Sequence, residues 1–113
     1  WTKPSCVLVG EDNYSDACGF PYVYKTLGIG KLIGAPVPGT MTAVWWETQI
    51  DPSIVFGIHQ VGCADLRGQY AENNQLQPDI EVYNKPEDAL KGIDTQLATA
   101  VKEMLKAADA AKK

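Results

Sequence analysis

The feature that most constrains the fold is a short apolar run that ends in glycine and leads into a helical pattern. Ser5–Val9 reads Ser-Cys-Val-Leu-Val and ends at Gly10, as a buried strand does. After a polar stretch, four apolar residues follow at i, i+3, i+4 and i+7, the spacing of one helical stripe: Phe20, Val23, Tyr24 and Leu27. Gly28 suits the left-handed position that ends a helix. Pro21 removes one helical hydrogen bond, so we expect a distorted first turn.

The middle of the chain is rich in β-forming residues. Lys31–Ile33 reads as a short strand, and Met41–Glu47 and Ile54–Val61 are longer runs separated by the turn signal Asp-Pro-Ser. Alternation returns at Ile80–Tyr83 after a polar, turn-rich segment. These patterns predict several strands after the first helix.

The C-terminal part is predicted to form two helices. Pro86 suits the first position of a short helix, which Gly92 ends. Asp94 can cap a longer helix. Its apolar face consists of Leu97, Val101, Met104, Leu105 and Ala108. The order of strand, helix, strands and paired helices indicates an α/β domain, and we expect the last helix to pack on its own sheet.

Length and charge limit the classes of partner. The chain has 113 residues, with 14 acidic and 10 basic side chains and a net charge of -4. This acidic excess argues against nucleic acid, whose binding requires Lys and Arg to neutralise phosphates. No apolar run approaches the ~20 residues of a membrane span. Cys6, Cys18 and Cys63 lack zinc-ligand spacing, so we expect three buried hydrophobes, no metal and no cofactor.

The junction between the first strand and the first helix is the first candidate site. Ser15 lies at the mouth of the predicted helix, where free backbone N–H groups attract negative charge. Acyl transfer needs such a pairing of a nucleophile with oxyanion donors. Ser before Asp at a helix start is also the pattern of an N-cap, which is the alternative interpretation.

The sequence offers few residues that could act as the base for a catalytic serine. His59 is the single histidine and lies within a predicted strand, on the face opposite Ile58. Lys25 and Lys31 could act as a base only if desolvated, and we expect their ammonium groups to reach water. Cys18 is interpreted as packing. The pair Trp45–Trp46 could form a ligand platform, although one buried and one exposed ring is the commoner arrangement.

Taken together, these motifs resemble the C-terminal part of the catalytic domain of family S41 serine peptidases, the tricorn and C-terminal-processing group. The resemblance runs from Lys3 to about Leu105. Its anchors are Asn13–Ala17, Gly28–Gly34, Glu72–Asn73 with Leu76–Val82, and Pro86–Asp88 with Gly92–Leu97.

The resemblance implies specific roles. Ser15 would be the acyl nucleophile, the backbone N–H of Asp16 one oxyanion donor, and Glu72 the carboxylate that orients a histidine base in the tricorn-like Ser/His/Glu arrangement. The segment Pro36–Thr40 has no lysine, which disfavours the Ser/Lys dyad of the processing branch. The family histidine lies upstream of the nucleophile, and His59 does not match it. Residues 1–113 are therefore expected to be a single partial S41 domain, close to inactive alone.

The implied fold is a crotonase/ClpP-like layered sheet-and-helix domain acting on polypeptide substrates. An open sheet edge in the fragment would favour homo-oligomers, and the resemblance favours an exported bacterial enzyme. One alternative is a non-catalytic module that grips peptides through Trp45, Trp46 and Pro36–Thr40. The acyl-CoA chemistry of the same fold is more distant, because no basic cluster would hold the phosphates.

Overall fold

The computed structural model describes residues 2–111 and contains five strands and three helices in that range. Their order confirms the predicted α/β class. The elements are β1 (Cys6–Val9), α1 (Asp16–Thr26), β2 (Lys31–Gly34), β3 (Ala43–Thr48), β4 (Val55–Val61), β5 (Ile80–Glu81), α2 (Pro86–Ala89) and α3 (Thr95–Ala110). The molecule is extended, with a radius of gyration of 17.7 Å, against about 13 Å for a compact domain near this length.

Three strands form a parallel sheet in the order β1-β2-β5. Val7 pairs with Leu32 and Leu8 with Ile33, and Ile33 pairs with Ile80. Strands of a parallel sheet are covered on both faces, which explains why β2 reads as a continuous apolar run. The core around this sheet contains Val9, Cys18, Tyr24, Leu32 and Val37.

Helix α1 contacts strand β2 of the sheet. The apolar stripe predicted from the sequence is not the face that the helix buries. Phe20, Val23 and Leu27 are exposed, whereas Tyr24 is buried. The helix buries Cys18, Pro21 and Tyr24, a run of every third residue. The spacing of the apolar residues therefore identified a helix correctly and its inward face wrongly. Apolar periodicity specifies a stripe, but packing against the sheet decides which stripe turns inward.

Both ends of α1 follow from its sequence. In its first turn the N–H of Ala17 bonds to the carbonyl of Tyr14 and that of Cys18 to the carbonyl of Ser15. These i to i−3 bonds are the tighter 3₁₀ type that is frequent at helix starts, and the N–H of Gly19 then bonds to the carbonyl of Ser15 in the α-helical pattern. At the other end Gly28 has φ 64 and donates to the carbonyl of Lys25. This arrangement confirms the predicted glycine stop.

Strands β3 and β4 form a separate antiparallel hairpin. The predicted turn between them is confirmed, since the Asp51 carboxylate accepts hydrogen bonds from the N–H and hydroxyl of Ser53. Neither strand contains a buried residue. Trp45 and Trp46 are 61% and 62% exposed, so the expected burial of one ring is wrong. Successive residues of a strand point to opposite faces, and neither face of this hairpin is covered.

The C-terminal helices form as predicted. Pro86 begins α2, and Gly92 follows it with φ 71. The Asp94 carboxylate accepts from the N–H of Leu97 and caps α3. Helix α3 contacts β1 and β2, which confirms packing on its own sheet. Only Ala100 of this helix is buried, and its predicted apolar face lines a groove of about 820 Å³ over the edge strand β1.

The three cysteines differ from the expectation of uniform burial. All are free thiols; Cys18 is buried, Cys6 is half-buried and Cys63 is exposed. Cys63 lies in the polar segment after β4, outside any strand or helix that could cover it. Within residues 2–111, no helix is long and apolar enough to cross a bilayer. The same residues hold no His, Cys, Asp and Glu cluster suited to a metal ion.

Candidate active site

Ser15 occupies a strained turn between β1 and α1. It is exposed and has φ 54 and ψ -119, and it directly precedes the first helical residue. A residue with a Cβ adopts such a conformation at a cost of about 1–3 kcal/mol, and persists there only when its surroundings hold it. A sharp strand-to-helix turn of this kind presents a serine hydroxyl above a sheet in many hydrolases.

The Ser15 side chain does not cap the helix. It makes no capping hydrogen bond although it occupies the N-cap position, so the alternative cap interpretation is wrong. Its carbonyl accepts from the N–H groups of Cys18 and Gly19. Among residues 2–111, the backbone N–H of Asp16 has no hydrogen-bond partner. A free hydroxyl is thus followed by a free N–H at the positive end of the helix dipole.

The segment between Gly39 and Thr42 lies against this turn. The N–H of Ser15 donates to Oγ1 of Thr40 at 3.4 Å. The same hydroxyl oxygen lies 3.1 Å from Sγ of Cys18, and that thiol also bonds to the carbonyl of Asn13 at 3.2 Å. Cys18 therefore packs in the core, as predicted, and its thiol joins the turn to the segment.

Glu72 holds the other side of the same segment. Its Oε2 accepts from the N–H groups of Met41 at 2.6 Å and Thr42 at 2.7 Å. A hydrogen bond from the Thr42 side chain is the largest cause that lowers the pKa of Glu72, followed by the Met41 N–H. The charge of His59 lowers this pKa further. The ionised carboxylate is thus favoured, and Ser15 and Glu72 contact neighbouring residues of one segment.

The candidate bases take other positions. His59 is exposed on β4, opposite Val44, and within the described residues its side chain makes no hydrogen bond to Ser15 or Glu72. Lys25 pairs with Asp79 at 3.0 Å. Lys31 pairs with Glu103 at 3.0 Å. Both lysine side chains remain partly exposed, as expected, and pair with carboxylates at the surface, so neither is the desolvated lysine that a dyad requires.

Sequence reasoning assigned no role beside Ser15 to two residues, Asn13 and Thr40. Thr40 contacts the N–H of Ser15, and Asn13 bonds to both Gly10 and Ala17. The sequence held a signal for Asn13. Pro21 has no N–H, so the carbonyl of Ala17, four residues earlier, lacks its helical donor and is open to a side chain such as Asn13. Thr40 gave no local signal, since 25 positions separate it from Ser15.

The model of peptidase family S41 matches residues 1–82. The chain therefore belongs to peptidase family S41, which confirms the resemblance drawn from its motifs.

Two relatives carry the word tricorn in their names. The tricorn-like protease C-terminal subunit of Sulfurisphaera tokodaii is 29% identical over 115 residues, which span 94% of this chain and 13% of that protein. The tricorn protease of Thermoplasma acidophilum is 27% identical over 105 residues, covering 87% of this chain and 9% of that protein. The chain thus spans about a tenth of the length of these relatives.

Solved structures show the same fold. The crystal structure of the tricorn protease matches 91% of this chain and 10% of its own, with a TM-score of 0.81 and 25% identity. Mature CPAF matches 77% of this chain and 17% of its own, with a TM-score of 0.68 and 24% identity. The second likeness concerns the fold alone.

Proposed function

We propose that this chain carries the nucleophile of a serine endopeptidase, with Ser15 as the attacking residue. The observation that supports the proposal best is the strained, exposed Ser15, whose hydroxyl makes no cap and is followed by the unbonded N–H of Asp16. A serine that served only as a cap would use its hydroxyl on the first-turn N–H groups.

The proposed chemistry is acyl transfer. Oγ of Ser15 forms a bond to the carbonyl carbon of the scissile peptide while a base takes its proton. The N–H of Asp16 donates to the oxyanion that develops, aided by the helix dipole. The C–N bond then breaks, the amine leaves with that proton, and water hydrolyses the acyl-enzyme.

Glu72 is proposed to orient the histidine that acts as this base. Its carboxylate is ionised at neutral pH, since its pKa lies below the ordinary value of 4.5, so it can hold an imidazole in one orientation and stabilise the imidazolium. His59 is the single histidine of the 113 residues, and its side chain is bonded to neither Ser15 nor Glu72 in the described part of the chain. The base is therefore proposed to come from outside these residues.

The test is covalent labelling by a fluorophosphonate probe in the full-length protein. We expect Ser15→Ala to abolish labelling, because the probe captures an activated serine. Ser53→Ala is the matched control, since Ser53 is an exposed serine in the hairpin turn. Equal labelling of Ser15→Ala and the unaltered protein would overturn the proposal.

The isolated 113 residues are proposed to be nearly inert. Removing one member of a catalytic unit loses nearly all the covalent catalysis, so we expect labelling of the isolated chain at least about 10³-fold slower than in the full-length protein. Serine-dependent labelling at a comparable rate would show that the base lies within the chain.

A peptide-binding module is the second candidate, favoured by the exposure of both Trp45 and Trp46. Exposed rings on a hairpin supply apolar contact area for a peptide. Under this alternative, the full-length protein binds unfolded polypeptide equally well with and without Ser15→Ala and never reacts with the probe. Trp45→Ala would then weaken binding, whereas the peptidase proposal requires the Ser15-dependent label.

A further inference from the structure

The proline inside α1 leaves one backbone acceptor without its helical donor. Residue 21 would normally donate its N–H to the carbonyl of Ala17, four residues earlier. Pro21 has no N–H, and its ring crowds that carbonyl. Pro21 is also fully buried, so it packs against the core. Ala17 is exposed, so its carbonyl is open to another donor, either water or a nearby side chain.

Asn13 supplies the missing donor. Its Nδ2 donates to the carbonyl of Ala17 at 2.6 Å, while its Oδ1 accepts from the N–H of Gly10 at 2.9 Å. Its own N–H donates to the carbonyl of Gly10 at 3.2 Å, and its carbonyl accepts from the Cys18 thiol. One asparagine thus ties the end of β1 to the first turn of α1.

Ser15 lies at the centre of this bridge, two residues from each of Asn13 and Ala17. Because φ 54 is costly for a residue with a Cβ, the flanking backbone must be held for Ser15 to stay there. We propose that Asn13 is a positioning residue for Ser15, and that it acts through the carbonyl that Pro21 leaves free. The inference rests on the proposed role of Ser15 as the nucleophile.

The pairing of Asn13 with Pro21 makes the proposal testable by a double-mutant cycle. Asn13→Asp keeps the acceptor for Gly10 but places a carboxylate oxygen against the Ala17 carbonyl, so the donor is lost. Pro21→Ala restores an N–H that can serve Ala17 within the helix. Asn13 should therefore matter less to Ser15 in the Pro21→Ala background.

The measurement is the rate of probe labelling of Ser15 in the full-length protein, with kcat and KM for peptide cleavage alongside. We expect Asn13→Asp and Asn13→Ala to slow labelling by about 10- to 100-fold, mainly through kcat, because small misplacements of a nucleophile cost that much. In the Pro21→Ala background the same changes should cost only about 3-fold, since Ala17 is then paired within the helix.

Asn84→Ala is the matched control. Asn84 also uses both ends of its amide, accepting from the N–H of Gln96 and donating to Asp94 at the start of α3. Its loss should leave the labelling rate within about 2-fold of the unaltered protein, as expected for a polar change remote from the reaction. An equal slowing by Asn84→Ala would show that loss of any such bridge suffices, and would overturn the proposal.

Two further outcomes would overturn it. Unchanged labelling of folded Asn13→Asp would remove the positioning role, and equal losses in both backgrounds would remove the link to Pro21. Amide hydrogen exchange at Gly10 separates this proposal from the one before it. If Ser15→Ala still reacts with the probe, the nucleophile is wrong, yet faster exchange at Gly10 in Asn13→Ala would still report the bridge.

Discussion

Two regions of the molecule differ in what covers their apolar residues. One is the parallel sheet together with α1, and the other is the β3–β4 hairpin. In the sheet, Leu32 and Ile33 are 0% exposed, and α1 and α3 contact β2. In the hairpin, Trp46 and Phe56 are 62% and 60% exposed. The central strand of the first region is buried within the chain, whereas the hairpin presents its apolar side chains to the surroundings.

The sheet and the hairpin differ in the burial of their apolar side chains and not in their composition. Both regions are rich in β-branched and aromatic residues, and both form regular strands. The sheet has helices to cover it, and the hairpin has none. The Glu72 carboxylate bonds to Met41 and Thr42 just before β3 begins, so the segment that contacts both Ser15 and Glu72 lies at the boundary between the two regions.

The largest expected effect contrasts one residue from each region. Leu32→Ala should lower the free energy of unfolding by about 2–5 kcal/mol, because it removes a fully buried side chain and leaves a cavity. Trp46→Ala should change it by less than about 1 kcal/mol, because most of this residue is already exposed. Urea unfolding followed by far-ultraviolet circular dichroism measures both. Equal losses would show that the hairpin is part of the core.

A smaller effect is expected at the boundary. Glu72→Ala leaves the N–H groups of Met41 and Thr42 without their acceptor, which should cost about 1–3 kcal/mol of local stability. Faster amide hydrogen exchange at those two residues, with Leu32 unchanged, would confirm a local role. Glu47→Ala, a change at an exposed carboxylate of β3, is the control.

The hydrogen bonds from the N–H groups of Met41 and Thr42 to Glu72 should depend on pH. The pKa of Glu72 lies below its ordinary value of 4.5 in the folded chain, chiefly because of its hydrogen bonds from Thr42 and Met41. Its contribution to stability is thus complete above about pH 4.5 and is lost as the pH falls through the folded-state pKa. Glu72→Gln should remove this dependence of exchange at Met41 and Thr42, and a pH profile that survived the change would assign it to another group.

The smallest expected effect is a gain in stability. Ser15→Gly should raise the free energy of unfolding by about 1 kcal/mol, because glycine adopts the positive φ of this position without strain. Ser15→Ala keeps a Cβ and should give no such gain. Thermal unfolding of the two variants compares them directly. An equal change in both would mean that the turn stores no strain.

Much of the fold followed from local signals. Gly28 at the end of α1, Asp51 in the hairpin turn and Asp94 at the start of α3 each act through neighbours in sequence, so their roles could be read from the chain. The inward face of α1 could not be predicted in this way. Phe20 and Val23 lie on an apolar stripe that is exposed, and its sequence pattern is the same as that of a buried stripe.

The same distinction between contacts local in sequence and contacts distant in sequence applies to the candidate site. The position of Ser15 at the mouth of a helix was predictable from the strand and stripe around it. The contact of its N–H with Thr40 was not, because 25 positions separate the two residues. The bonds of Glu72 to Met41 and Thr42 join residues about 30 positions apart, and no local pattern encodes such a pairing.

The exposure of both hairpin tryptophans has a practical consequence for spectroscopy. Trp45 and Trp46 are the two indoles within residues 2–111, and both lie outside the sheet core. In a Trp1→Phe variant, which leaves these two indoles as the chain's tryptophans, intrinsic fluorescence excited at the indole band would therefore report on whatever docks against the hairpin, and a blue shift of emission would mark that contact.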